Sequence, residues 1–203
     1  MADLQKLFAE LDRVWAEKRP DVAKALRPGA TAAKLQKFKK AFDAPEDVLA
    51  LYKWHDGAKD EHLPIENLFG WCSLDVATSE KKRLDGLEDD GTFGDWPSGV
   101  WWNPGWIPIF QFNLEDHICV DVPGVLKKGD GAVFIRRNAD DRRTVLAPSL
   151  AGFLEVHLEI TKAGPTKGDE DAWLDHFDSE KVKAIREKVG RGFPATVTAT
   201  KKK

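Results

Sequence analysis

Apolar residues recur at steps of three and four from the start of the chain. Leu4, Leu7, Phe8, Leu11, Val14 and Trp15 form one stripe and predict a helix over 3–18, closed by Arg19-Pro20. Thr31 is suited to N-cap a second helix, with Leu35, Phe38 and Phe42 on one face and Lys34, Lys37, Lys39 and Lys40 on a solvated one. Asp43-Ala44-Pro45 opens a third, with Pro45 in the first turn, Val48, Leu51 and Tyr52 inward, and Gly57 as a left-handed stop. From 58 to 106 the period fades. A short helix is expected within 74–87, and the turn formers of 91–99 read as loop.

The pattern then changes to that of strands. Residues 107–112 and 117–122 flank a turn at 113–116 and predict a hairpin, followed by a third strand over 132–136 after Gly129-Asp130-Gly131. Pro108 donates no hydrogen bond, so it belongs near a sheet edge or at the strand's start. Pro148 begins another helix, with Leu150, Phe153, Leu154, His157 and Leu158 inward and Gly164 beyond its end. A charged helical segment follows, with apolar contacts from Trp173, Phe177, Val182, Ile185 and Val189, and 195–203 reads as a frayed tail. Helices, then strands, then helices is an α+β order. The expected division is one domain over 1–164 and a charged C-terminal helical extension with a tail over 165–203.

Composition narrows the class. At 203 residues the chain is long enough for one sizeable core, and 42% hydrophobic with 32% charged residues is a globular balance. No apolar run has the length of a membrane span, and the N-terminus lacks the layout of a signal peptide, so the cytoplasm is expected. Cys72 and Cys119 read as small buried hydrophobes. The net charge is −3, but residues 54–164 hold 19 acidic against 11 basic residues. That balance argues against nucleic acid as a partner and suits a basic protein.

Catalytic motifs are missing from the pattern. There is no glycine-rich phosphate loop, and Ser149 sits in a helix-starting context and not in a nucleophile elbow. His55 and His62 stand near Asp56, Asp60 and Glu61 without the spacing of a metal motif. Asp85, Glu88, Asp89, Asp90 and Asp95 form an acidic stretch, but Leu87 falls where a calcium loop needs an oxygen. Neither cofactor, metal nor catalysis is expected. Trp96, Trp101, Trp102 and Trp106 crowd one segment. Trp106 leads into a strand and reads as core, whereas Trp96 and Trp101 either pack over the sheet or present a recognition surface.

Five segments together resemble one family. Pro45 to Tyr52 with His55-Asp56-Gly57, then Trp106-Ile107-Pro108-Ile109, Cys119-Val120-Asp121, Val133-Phe134, and Ser149 to Phe153-Leu154 are similar in order and spacing to the SUKH superfamily, named for the Smi-one/Knr-four cell-wall regulators of yeast. The resemblance spans about residues 30–160 and implies a mixed, mainly antiparallel sheet flanked by helices. It implies binding and not catalysis. Bacterial members are commonly immunity proteins against toxins, many of them nucleases, and yeast-like members are interaction hubs in cell-wall and stress signalling. The shared residues read as structural. The expected partner is therefore a basic toxin domain, met by Asp56, Asp60, Glu61, Asp89, Asp90, Asp95, Trp96 and Trp101. The alternatives are a regulatory scaffold and a module binding a small molecule or carbohydrate on the Trp-rich loop.

Overall fold

The computed structural model describes residues 2–60, 62–66, 68–113, 115–164, 180–190 and 192–199. Glu61, Trp173 and Phe177 lie outside the described residues. In chain order the elements are α1 (Ala2–Lys18), α2 (Pro20–Ala25), α3 (Ala32–Phe42), α4 (Glu46–Trp54), β1 (Gly70–Trp71), α5 (Leu74–Asp89), β2 (Trp106–Phe112), β3 (Asp116–Asp121), β4 (Ala132–Arg136), β5 (Arg142–Ala147), α6 (Leu150–Ala163), α7 (Glu180–Val189) and β6 (Ala195–Thr198). The fold is α+β.

Three helices start on hydroxyl caps. Thr31 Oγ1 accepts from Lys34 N at 3.4 Å, Ser73 Oγ from Val76 N at 3.3 Å, and Ser149 Oγ from Gly152 N at 3.1 Å. Each such cap contributes about 1 kcal/mol, because it satisfies an amide that has no partner within the helix.

The strands form one meander in the order β1-β2-β3-β4-β5-β6, and every described pairing is antiparallel. The sheet is buried on both faces. Ile107, Ile109, Ile118, Val120, Val133 and Ile135 join the core formed with α1, α4 and α6. Trp106, Cys119, Phe134 and Val145 join a second core with Leu84 of α5 and Trp102. A third cluster, Val156 and Ile160 of α6 with Val182 of α7, docks the C-terminal helix.

Several details differ from the expectations. Residues 142–147, to which the pattern assigned no strand, are β5. Residues 195–198, expected in a frayed tail, instead pair with β5 from Val145↔Ala195 to Arg142↔Thr198. The short helix expected within 74–87 is a 16-residue helix. Gly57 has a φ of +69° but does not stop α4, which has already ended at His55. It allows close approach, since a Cβ there would lie 2.5 Å from the Cys72 carbonyl oxygen. Pro108 is the third residue of β2, at a register shift against β3. On its other side β1 reaches only Phe110 and Gln111, so its missing N–H costs little.

Candidate functional site

The tryptophan loop is built on the C-terminal end of α5. That helix finishes in Glu88-Asp89 with Asp90 as its C-cap, and its last turn holds no basic residue. Carboxylates there oppose the helix dipole, which favours cations at that end. Glu88 is used internally: one oxygen accepts from Ser98 Oγ and Gly99 N, both at 2.8 Å, and folds the loop back onto the helix. Asp90 accepts from Thr92 Oγ1 at 2.5 Å and Thr92 N at 2.9 Å, and the hydroxyl contact first holds its carboxyl below the usual range. Asp89 and Asp95 are exposed.

Above this acidic end the rings form a ladder from surface to core. Trp96 and Trp101 are half-buried and stack with centroids 4.5 Å apart. The Arg143 guanidinium lies 4.9 Å from the Trp101 ring and 5.8 Å from Trp106. Trp106 then meets Phe134 edge-on at 4.8 Å and Trp102 at 5.7 Å. Trp102 Nε1 donates to Asp85 at 2.8 Å, and Asp85 also receives the buried Lys81 ammonium at 2.9 Å. The platform is thus held from below, with Trp96 and Trp101 half-buried at its outer edge.

Beneath the loop a polar row crosses the sheet. Successive partners are Gln111, His117, Arg136 and Arg143, all buried. His117 Nε2 lies 3.3 Å from Glu80 of α5. Burial lowers the imidazole pKa below its ordinary value, against the pull of Glu80 and with that of Arg136. Burial raises the Glu80 carboxyl, but His117 and Arg83, the latter at 2.7 Å, outweigh it and hold the pKa at about 2.

Five of the expected contact residues, Asp89, Asp90, Asp95, Trp96 and Trp101, fall on this one segment. Asp56 is elsewhere and only 8% exposed. Its Oδ1 accepts from Leu74 N at 2.6 Å and fastens the N-terminal end of α5. A helix of 16 residues separates that end from Asp89 by about 24 Å. Asp60 is exposed in the turn after Gly57 and accepts from His62 N at 3.0 Å. His55 uses both ring nitrogens, on the Arg27 carbonyl at 2.8 Å and on Asp12 at 2.9 Å. Among the described residues no group of His, Cys, Asp and Glu is arranged to hold a metal ion. No helix among them is long and apolar enough to cross a membrane.

Sequence reasoning counted Glu88 only as one acid of a stretch and gave Arg136 and Arg143 no role, because the importance of all three depends on strands and loops meeting in space. The only signal was Arg142-Arg143 before an apolar run, which reads as surface charge until β5 is recognised. Asp121 carries its own meaning. Fully buried, it accepts from Trp106 Nε1 at 3.0 Å, Val125 N at 3.2 Å and Leu126 N at 2.8 Å. It thereby ties the Trp-Ile-Pro-Ile strand to the end of the hairpin, two of the five resembling segments.

No curated protein matches the chain. A family-wide sequence model does, over residues 29–156, and these run from just before the Thr31 cap to within α6. The match covers more than half of the chain and contains all five segments on which the resemblance rested. The chain belongs to the SMI1 / KNR4 family (SUKH-1).

Proposed function

We propose that this chain is a non-catalytic, immunity-type binding protein that occludes a basic toxin domain, a nuclease by preference, through the segment 89–101. The observation that carries the reading is the stacked Trp96–Trp101 pair standing beside the exposed carboxylates Asp89, Asp90 and Asp95. From Leu84 to Leu126 the chain has no Lys or Arg, so no cation within that stretch cancels their field. Acids at a helix C-terminus cost stability, and a binding role accounts for keeping them there. The carboxylates stand in for the phosphates that a nuclease recognises and steer its approach. The rings supply the desolvated anchor, worth about 2 kcal/mol or more for a buried aromatic.

The family supports a binding role, and the buried Asp56 and Asp121 show that residues of its motifs are spent on the fold. Capture from cells of the source with this chain as bait, followed by co-expression with the captured domain, tests the reading. A toxin-like domain whose growth arrest is relieved by this chain supports it. Capture of signalling or cell-wall proteins alone sinks it in favour of a scaffold.

A further inference from the structure

Under the tryptophan loop, between the β3–β4 connection and β6, lies a cavity of about 340 Å³. Its lining is mainly apolar, with Val100, Trp106, Val125, Leu126 and Val197, and Arg143 is its one charged lining residue among those described. That size falls in the range of small-molecule pockets, about 300–1,000 Å³. Val125, on its wall, is 42% exposed, unusual for a large apolar residue in this chain.

Arg143 is 1% exposed, and its hydrogen bonds all go to neutral acceptors. Nη1 donates to the carbonyls of Asp140 at 2.8 Å and Arg142 at 3.3 Å, and Nη2 to that of Trp101 at 2.8 Å, while Nε has no partner. The neighbouring Asp140 carboxylate is taken by Arg142 at 2.7 Å. Directly across the strand pair stands Arg136, equally buried, bonded to the Glu115 carbonyl and the Asn138 side chain and likewise unpartnered at Nε. Two cross-strand guanidiniums thus share one buried row, and among the described residues neither has an acid as ion-pair partner. Burial first and then Arg136 draw the Arg143 pKa down to about 10, so it remains a cation at neutral pH. A buried charge without a counter-ion is costly, and an anion brought to it is strongly held.

We propose that this cavity binds a small monocarboxylate with an apolar body, its carboxylate at Arg143 and its body against Trp106, Val100 and Leu126. One cation in an apolar chamber matches one negative charge. A phosphate dianion would lack donors for its other oxygens. The site does not rest on the protein-binding reading, and the probes below contain no protein.

The test is calorimetric titration and thermal shift of the full chain with hexanoate and benzoate, alongside hexanamide, benzamide and inorganic phosphate. Saturable binding of an acid, at least tenfold tighter than its amide and than phosphate, with quenching of tryptophan fluorescence, is the expected result. Equal response to acid and amide, preference for phosphate, or no response to either acid at millimolar concentration overturns the proposal. Arg143→Gln should abolish binding but also loosens the clamp on Trp101. Val100→Trp fills the cavity while keeping the guanidinium, and it should abolish binding while leaving the melting transition cooperative. Undiminished acid binding by a folded Val100→Trp variant places the ligand elsewhere.

Discussion

Arg186 of α7 places Nη2 3.3 Å from Oε1 of Glu66, whose other carboxylate oxygen lies 2.6 Å from His157 Nδ1. All three residues are buried. A helix outside the family-matched region is therefore fastened to a residue within it. Removing one member of a buried pair costs about 3–5 kcal/mol where the other charge is left uncompensated, and for Glu66 the His157 contact offsets part of that. Arg186→Met should lower the unfolding free energy by up to about that amount, read from urea unfolding followed by circular dichroism. A loss under about 1 kcal/mol would mean that apolar packing through Val182, Ile185 and Val189 holds α7 without the ion pair.

Asp121 accepts three hydrogen bonds, from Trp106 Nε1, Val125 N and Leu126 N. Asp121→Asn turns an NH₂ group towards those donors. The expected destabilisation is about 1–3 kcal/mol, read from thermal unfolding, with a shift in tryptophan fluorescence as Trp106 loses its acceptor.

His117 should give the protein an acid-sensitive stability. Burial holds its folded pKa below the ordinary 6.5, with Arg136 opposing protonation and Glu80 favouring it. The folded state then binds the proton less well than the unfolded chain does. Stability is full above about pH 6.5 and falls as the pH drops below it, by up to about 1.4 kcal/mol per unit until the folded pKa is reached. Glu80, held at about 2, contributes its own loss only at more acidic pH, below about 4.5. Urea midpoints at about pH 7.5 and about pH 5 should differ in the native chain and converge in His117→Gln.

Gly57→Ala meets two obstacles, the positive φ and the Cys72 carbonyl 2.5 Å from the new Cβ. The left-handed backbone alone costs about 1–2 kcal/mol, and the clash adds to it. Differential scanning calorimetry should show a loss of at least that size.

The helices were legible because one-sided burial writes a clear period into α1 and α3, because α6 is a long apolar run buried against both the main core and α7, and because Thr31 and Ser149 mark two of the starts. The hairpin β2–β3 was legible from its two apolar runs. β5 was not, since Arg143 points into a buried face and breaks the apolar pattern that identifies a strand. β1 is two residues long, and β6 exists through its pairing with β5, so neither carries a local signal. At the site, the acids and tryptophans of 89–101 were visible in composition. The burial of Asp56 was not, because its partner Leu74 N lies 18 residues away and is brought there by the turn at Gly57. The arginine row needs the registers of β3, β4 and β5, which no single segment encodes.

The central claim is that the acidic end of α5 and the Trp96–Trp101 platform form the binding surface. The most direct measurement is the binding kinetics of the captured toxin domain with the native chain, with an Asp89→Asn, Asp90→Asn, Asp95→Asn triple variant, and with Trp96→Ala, Trp101→Ala. The account predicts that the triple variant associates about tenfold more slowly with a shallower salt dependence, and that the tryptophan variant dissociates at least about 30-fold faster. Unchanged association and dissociation rates in both folded variants would contradict it.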